Sequence, residues 1–248
     1  MDYDTVTKQR LDLYLVEQNF FPSRAAAIAA IKQGCVFIDN IAVNKPAFIV
    51  FGTPNIKIVG ACPWVSRGGL KLEHGLNHFN VDVTNKICLD LGASTGGFCD
   101  VLLSRQAQKI YAVDVGHSQL HEKIANNPQI INLEQTPAKD LDTDIVPDEI
   151  DFLCVDVSFI SATKVLPYVF PLLAEQAEVI ILCKPQFELN PKAIKKGIVK
   201  NPDDLLIAQQ SVIDFLIEHD MHAIQAIDSP ITGTDGNHEY LIYCQNFI

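Results

Sequence analysis

Lysine and carboxylate side chains stand where the strands of a predicted sheet end. Asp156 and Lys184 each follow an apolar run, and Glu239 begins the last apolar run of the chain. Residues at strand ends gather at one edge of a doubly wound sheet, so these groups should lie together, and Lys71 on a preceding helix could complete the group. A partly desolvated lysine beside another cation has a lowered pKa and can act as a base. The predicted chemistry is deprotonation of a hydroxyl.

Each of these residues also has a plain structural explanation. Lys71 on a helix could be a solvated cation, and Glu239 could be a surface acid. Lys184 is harder to explain as packing, because it directly follows Val-Ile-Ile-Leu-Cys and precedes a proline. Lys184 is therefore the candidate base.

A second candidate site is the glycine-rich segment Leu89-Asp-Leu-Gly-Ala-Ser-Thr-Gly-Gly-Phe98, which follows the first predicted strand and opens a helix. It is neither the dinucleotide fingerprint G-x-G-x-x-G nor a P-loop. Asp114 ends the next strand, and with Asp90 it suits a cationic ligand better than a pyrophosphate. The alternative is that the glycines only allow close packing of strand and helix.

These residues depend on a regular alternation of strands and helices. Near-continuous apolar strands separated by helical segments predict an α/β fold with a mostly parallel, doubly wound sheet. The predicted strands are 87–91, 110–113, 130–133, 152–155, 179–183, 223–227 and 239–244. The predicted helices include 118–126, 162–173 and 203–219.

The first 59 residues predict a separate small α+β unit. Leu11 and Leu15 mark the apolar face of a first helix, Ser23 is a candidate N-cap for a helix over 24–33, and Gly34 ends that helix. A hairpin with the turn Asp39-Asn40 follows. We therefore expect a first domain at 1–59, a linker at 60–65 and a second domain at 66–248.

This small unit resembles the S4 RNA-binding domain, whose helix pair and hairpin present cations to structured RNA. In that family the hairpin turn is usually Asn-Gly, and here it is Asp39-Asn40. The resemblance implies RNA-binding roles for the cations Lys8, Arg10, Arg24, Lys32 and Lys45.

Composition and charge narrow the class of protein. The chain has 248 residues, of which 48% are hydrophobic, and this composition excludes disordered and collagenous proteins. Its formal net charge of −11 argues against a protein that coats nucleic acid uniformly. Residues 1–59 carry a net charge of +1, so residues 60–248 carry −12. The seven cysteines form no C-x-x-C pair, and no apolar run reaches the length of a membrane span. We expect a cytoplasmic protein with reduced thiols and no metal.

The pattern Asp-x-Gly-x-x-x-Gly, with an acid at the end of the next strand, resembles class I S-adenosylmethionine methyltransferases of Rossmann-like fold. Four further motifs make the resemblance specific to the TlyA family, which joins an S4 domain to an FtsJ-like methyltransferase domain: Ser66-Arg-Gly-Gly-Leu-Lys71, Gly92-Ala-Ser-Thr-Gly-Gly-Phe98, Asp156-Val-Ser-Phe-Ile-Ser161 and Lys184-Pro-Gln-Phe-Glu188. The implied cofactor is S-adenosylmethionine. The cofactor-binding residues implied are Asp90, Gly92, Ala93, Ser94, Thr95, Gly96, Gly97, Phe98, Asp114, Val115 and Asp156.

The resemblance implies 2′-O-methylation of cytidine in 16S or 23S rRNA, or in both, within ribosomal subunits. It gives Lys184 the role of base, lets Asp156 and Glu239 orient the lysines, and lets Lys71 steer a phosphate or hydroxyl. The chain departs from the family at His117-Ser118 and at Pro137, both near the expected adenosine pocket.

Further RNA contacts are expected from Arg67 and from the basic stretch that contains Lys192, Lys195, Lys196 and Lys200, although that stretch could equally be a solvated loop. Two other functions stay open for the whole chain. One is an RNA-binding ribosome-assembly factor without catalysis, and the other is a haemolysin acting on membranes, a label that the family often carries.

Overall fold

The chain divides into two compact units, Met1–Pro63 and Trp64–Ile248. The computed structural model describes residues 8–32, 34–39, 41–58, 63–190, 194 and 197–246. The predicted linker lies partly outside these ranges, since residues 60–62 are not among them.

The first unit packs two helices against short strands. Its elements are β1 (Lys8–Arg10), α1 (Leu11–Glu17), α2 (Arg24–Lys32), β2 (Val36–Ile38), β3 (Ile41–Ala42), β4 (Ile49–Phe51) and β5 (Ile56–Ile58). The core of the unit contains the fully buried Leu11, Leu15 and Ile31. The apolar face predicted for the first helix is therefore the buried one.

Local signals in the sequence explain where these elements begin and end. The Ser23 hydroxyl accepts a hydrogen bond from the Ala26 amide at 3.2 Å, and Gly34 has a φ of +72° just beyond α2. Strands β2 and β3 pair antiparallel, which confirms the hairpin. Asp39 takes the left-handed conformation that the turn requires, and Asn40 lies outside the described residues.

The second unit alternates strands and helices along the chain. Its strands are β6 (Ile87–Leu91), β7 (Lys109–Val113), β8 (Ile130–Leu133), β9 (Ile150–Val155), β10 (Leu173–Cys183), β11 (Met221–Asp228) and β12 (Tyr240–Asn246). Its helices are α3 (Gly68–Phe79), α4 (Gly97–Ser104), α5 (Glu122–Ala125), α6 (Ala162–Val169), α7 (Pro185–Glu188) and α8 (Pro202–Glu218), with 3-10 turns at Ala138–Asp140 and Phe170–Leu172.

One sheet of seven strands organises the described part of this unit, in the order β11-β12-β10-β9-β6-β7-β8. The five strands from β10 to β8 pair parallel, and β12 pairs antiparallel with both of its neighbours. The predicted mostly parallel α/β sheet is thus confirmed.

Helices cover both faces of the sheet. Successive residues of a strand point to opposite faces, so neighbouring residues pack against different helices. Leu89 and Leu153 belong to the cluster that includes residues of α6 and α8. Their neighbours Cys88 and Phe152 belong to the cluster that includes residues of α3, α4 and α5. Burial of each large apolar side chain stabilises the fold by about 1.5–3 kcal/mol.

One predicted helix is mostly a loop. The segment 118–126 was expected to be helical, but α5 covers only Glu122–Ala125. Ser118 has a φ of +52°, which an α-helix does not accommodate, and the amides of Ser118, Gln119 and Leu120 donate hydrogen bonds to the Glu134 carboxylate after β8. A tertiary contact has replaced the first turn.

Candidate active site

Three of the predicted catalytic residues meet at one edge of the sheet. Asp156 follows β9, Lys184 follows the parallel strand β10, and Glu239 precedes the antiparallel strand β12. Because β12, β10 and β9 are adjacent, and neighbouring strands lie about 4.8 Å apart, these residues are close neighbours.

Lys184 forms the first ion pair of the site. Its Nζ lies 2.6 Å from Asp156 Oδ1 and donates a hydrogen bond to Ser158 Oγ at 2.8 Å. The Lys184 side chain is 10% exposed and that of Asp156 is 22% exposed. The charged neighbour described for Lys184 is therefore a carboxylate, whereas the sequence suggested another cation.

Lys71 on α3 forms the second ion pair. Its Nζ donates to Glu239 Oε2 at 2.5 Å, and both side chains are almost fully buried. A Cβ atom on Gly233 would approach Glu239 Oε1 to 2.6 Å, so the loop before β12 closes tightly on this carboxylate. Removing either partner would leave the other as a buried charge without compensation, which would be strongly destabilising.

A cleft of about 940 Å³ opens at the ends of β6, β7 and β9, and of the four residues in the two ion pairs only Asp156 lines it. Gly92 lines it with a φ of +93°, and a Cβ atom there would come within 2.5 Å of the Asp156 carbonyl oxygen. Glycine is therefore required for the close approach of these two strand ends. Ser158 also lines the cleft, and Lys184, which does not line it, contacts both Asp156 and Ser158.

Asp114 directly follows β7 and lines the same cleft. Its two oxygens accept hydrogen bonds from the amides of Ser94 at 2.8 Å and Gly116 at 2.7 Å. A carboxylate has about four lone-pair sites, so Asp114 can still accept hydrogen bonds from the hydroxyl groups of a ligand. The acid thereby also joins the glycine-rich segment to β7.

The predicted cofactor residues divide into two groups. Five of them line the cleft: Gly92, Ser94, Asp114, Val115 and Asp156. The other six do not line it: Asp90, Ala93, Thr95, Gly96, Gly97 and Phe98. Of these, Phe98 belongs to the core, and a Cβ atom on Gly97 would come within 2.0 Å of Ser66 Oγ, so both residues serve packing in this structure.

Asp90 is completely buried below the glycine-rich segment. Its Oδ2 accepts a hydrogen bond from the Cys99 thiol at 3.0 Å, and its Oδ1 has no hydrogen-bond partner. Burial raises the pKa of Asp90 to about 7. Asp90 therefore lies in the interior and not in the cleft wall.

Several residues of the cleft were not among the predicted site residues. Gln119 lines it from the loop that Glu134 holds, and Phe159 lines it with 93% of its surface exposed. Pro137, which the sequence placed near a cofactor pocket, lines the cleft after β8 together with Thr136, Ala138 and Lys139, whereas His117 and Ser118 do not line it. Their position after a parallel strand was the available signal, because strand ends converge at this edge.

The segment before α3 is attached to the glycine-rich region. The Val65 amide donates to Asp100 Oδ2 on α4 at 2.9 Å, and the Trp64 ring lies where a Cβ atom on Gly69 would fall. Arg67, a predicted RNA contact, ends this segment and is partly buried.

Predicted RNA-binding cations in the first unit are at its surface. Lys8, Lys32 and Lys45 are exposed. Arg10 and Arg24 each lie 2.9 Å from Oδ2 of the buried Asp12, so that one carboxylate holds both guanidinium groups. Lys192, Lys195 and Lys196 lie outside the described residues.

Membrane-spanning helices and metal sites are the next features to consider in the described ranges. Within them, no helix is long and apolar enough to cross a membrane, and no group of three histidine, cysteine or acidic residues could hold a metal ion. The six cysteines in these ranges are all buried and free of disulfides.

The sheet order and the strand-end cleft define a Rossmann-like methyltransferase fold. The FtsJ-like methyltransferase family matches residues 64–247, and the S4 domain family matches residues 9–50.

Similar proteins narrow the class further. The chain is 40% identical to "Hemolysin A" of Brachyspira hyodysenteriae, covering 94% of this chain and 98% of that protein. It is 36% identical to "16S/23S rRNA (cytidine-2'-O)-methyltransferase TlyA" of Mycobacterium tuberculosis, covering 95% and 89%. A solved structure of a hemolysin-named protein from Streptococcus thermophilus matches with a TM-score of 0.75 at 33% identity, covering 98% and 90%. The chain therefore belongs to the TlyA family of FtsJ-like methyltransferases.

Proposed function

We propose that this chain transfers a methyl group from S-adenosylmethionine to the 2′-hydroxyl of cytidine in 16S or 23S rRNA, or in both. One observation carries the proposal: the Lys184 ammonium contacts Asp156 and Ser158, and both residues line the cleft. The candidate base therefore lies directly behind two residues in the wall of the candidate cofactor site.

The residues of the cleft suit S-adenosylmethionine. Apolar residues such as Val113, Val115 and Ala138 offer surfaces for a planar base, and Asp114 offers acceptors for ribose hydroxyls. When bound, this cofactor supplies an electrophilic methyl group on a positively charged sulfur. The acidic Asp156 in the wall is compatible with that charge.

Lys184 has the role of base in this proposal. An alcohol is a poor nucleophile until its proton leaves, so a lysine amine must take the proton from the 2′-oxygen. Asp156 and Ser158 orient the amine, while Glu239 holds Lys71 for a phosphate or hydroxyl of the substrate.

The proposal includes the division of labour along the chain. Residues 1–59 would bind RNA as an S4 domain, 60–65 would be the linker, and 66–248 would carry the reaction. The substrate would be rRNA within ribosomal subunits, which places the protein in the cytoplasm. The RNA contacts proposed are Lys8, Arg10, Arg24, Lys32, Lys45, Arg67, Lys192, Lys195 and Lys196.

Methyl transfer to isolated ribosomal subunits tests the proposal. The purified chain is mixed with methyl-labelled S-adenosylmethionine and each subunit, and label in RNA is counted. We expect Lys184→Ala to lower the transfer rate by about 10²–10⁴-fold while cofactor binding persists, because only the base is lost. Lys86→Ala is the control, since Lys86 pairs with Glu178 away from the cleft.

The outcomes separate the competing functions. Binding to subunits without label in RNA would favour an assembly factor over an enzyme. Equal transfer by Lys184→Ala and the wild type would contradict the role of Lys184.

A further inference from the structure

The Asp156–Lys184 ion pair joins the first residues of two sequence motifs, 156–161 and 184–188. The last residue of each motif has no part in the proposed reaction. We name residues 156–161 the Asp156 loop and residues 184–188 the Lys184 turn. The Asp156 loop ends at Ser161, and the Lys184 turn ends at Glu188. The reaction proposed above assigns no task to either.

The structure joins these two ends to each other. The Ser161 hydroxyl donates a hydrogen bond to Glu188 Oε2, and the Ala162 amide donates to Glu188 Oε1 at 3.0 Å. A carboxylate can only accept, so the hydroxyl of Ser161 is committed as the donor. The same hydroxyl accepts from the Thr163 amide at 3.2 Å, which caps α6.

The contact between loop and turn therefore has two polar ends and an aromatic centre. Lys184 with Asp156 and Ser158 forms one end, and Glu188 with Ser161 forms the other. Between them, the rings of Phe159 and Phe187 lie with centroids 5.4 Å apart.

The Asp156 loop contains a strained and exposed residue, so it needs contacts such as those with Glu188 to keep one conformation. Phe159 has a φ of +65°, a strained conformation for a residue other than glycine, and its side chain is 93% exposed. A strained, exposed loop stays in one conformation only if contacts at both ends determine it. Glu188 supplies the contacts at the end away from Lys184.

Glu188 is also an expensive residue to place here. Burial raises the pKa of its carboxyl, and the hydrogen bonds from Ser161 and Ala162 oppose that rise. A partly buried carboxylate with two directed hydrogen bonds fixes geometry more strictly than an apolar side chain of similar size would.

We propose that Glu188 is a positioning residue for methyl transfer, which holds the Asp156 loop through Ser161 and Ala162 so that Asp156 and Ser158 keep Lys184 aligned at the cleft. The proposal rests on the function proposed above. Glu188 touches neither the cleft nor a reacting atom, so its effect on the reaction passes through the loop.

The test compares Glu188→Gln with Glu175→Gln, a matched control at an exposed position of β10. In Glu188→Gln, the side chain has one acceptor oxygen in place of two. The glutamine side chain therefore cannot accept hydrogen bonds from both the Ser161 hydroxyl and the Ala162 amide with separate oxygens, as Glu188 does. Hydrogen exchange on the protein without RNA reads the loop directly. We expect exchange of the Ala162 amide to rise about tenfold in Glu188→Gln and to stay unchanged in Glu175→Gln.

Methyl transfer by the same variants reads the consequence. We expect kcat to fall about 10- to 100-fold in Glu188→Gln with the KM for S-adenosylmethionine within twofold of wild type, since misalignment of reacting groups affects the chemical step. Ser161→Ala should lose a similar factor, the double variant should be no worse than Glu188→Gln, and Ser161→Thr should recover most of the activity.

Unchanged Ala162 exchange in Glu188→Gln would overturn the inference, and so would raised exchange with an unchanged kcat. Multiplicative losses in Ser161→Ala and Glu188→Gln would also overturn it. If Glu188→Gln unfolds, the comparison of Ser161→Ala with Ser161→Thr decides. Failure of the wild-type chain to methylate RNA would instead contradict the proposed function, while the exchange measurement still decides the loop contact.

Discussion

At the scale of single residues, charged groups inside the second unit fall into two kinds. Lys71, Lys184 and Glu239 are buried in ion pairs. Asp90 is buried with one oxygen bonded to a thiol and the other without a partner. Each paired group faces an opposite charge, whereas burial of Asp90 without such a partner favours its neutral form.

Asp90 gives a prediction with a definite sign. Its pKa rises from an ordinary value of 3.8 to about 7 in the folded state, mainly through burial. The folded state therefore binds the proton more tightly, and the stability from this group is full below about pH 4 and lost as pH rises towards 7. Asp90→Asn cannot ionise, so its free energy of unfolding relative to wild type should improve from pH 5 to pH 8.

Urea denaturation of both proteins at several pH values measures this difference. A stability difference between Asp90→Asn and wild type that is constant from pH 5 to pH 8 would contradict the raised pKa. Asp151→Asn is a comparison on the neighbouring strand β9, where the carboxylate accepts from the Ile87 amide and is not fully buried.

At the scale of elements, the ends of strands could be read from the sequence better than the loops between them. Ile87–Leu91 and Ile130–Leu133 have the predicted bounds, because short apolar runs between polar turns admit few alternatives. Asp156 and Lys184 follow β9 and β10, whose carboxyl ends at Val155 and Cys183 are the predicted ones, and Glu239 directly precedes β12, one residue outside the strand predicted to contain it. The pairing of each lysine with a particular acid depends on side-chain geometry, which no pattern of residues specifies.

The loop that carries Gln119 shows why the rest could not be predicted. Its residues have helical length and composition, yet Glu134, distant in the sequence, binds three of its amides. Non-local hydrogen bonds of this kind leave no periodic signal. The same limit explains why Asp90 and Phe98, which belong to the glycine-rich motif, turned out to be interior residues.

The close approach of β6 and the Asp156 loop yields a prediction for Gly92. Gly92→Ala adds a Cβ atom 2.5 Å from the Asp156 carbonyl oxygen at a φ of +93°, so it should displace the loop and weaken binding of S-adenosylmethionine at least tenfold. Gly236→Ala is a matched control, because its φ is +89° and nothing lies within 4 Å of the added atom.

Calorimetric titration with S-adenosylmethionine, together with thermal unfolding, compares the two variants. Backbone strain alone would lower the stability of both by a similar amount, and only Gly92→Ala should also lose cofactor affinity. Equal cofactor affinity in the two variants would show that the close approach at Gly92 does not shape the cleft.

At the scale of the whole molecule, charge is distributed unevenly. The total of −11 combines a first unit near neutrality with an acidic second unit. In the first unit, Asp12 neutralises part of the charge of Arg10 and Arg24, and these two cations lower the pKa of its carboxyl. If the chain acts on ribosomal RNA as proposed, recognition would depend on a few local cations and on the shape of the RNA surface, and we predict weak affinity for generic duplex RNA.

Salt dependence of subunit binding tests these local cations. Arg24→Gln and Lys45→Gln should each reduce the slope of log K against log salt by about 0.7–0.9 if each residue contacts one phosphate. Arg10 is left in place, because Asp12 would otherwise lose both partners and remain buried and unpaired. Lys57→Gln, an exposed cation of the same unit, is the control. An unchanged slope in both variants would remove them from the RNA interface.

The most direct test of the central claim is a map of 2′-O-methylated cytidines in 16S and 23S rRNA. Cells that lack this protein are compared with the same cells supplied with the wild-type chain or with Lys184→Ala. We predict at least one cytidine that is methylated only when the wild-type chain is present. Identical maps in all three strains, or full restoration by Lys184→Ala, would contradict the claim.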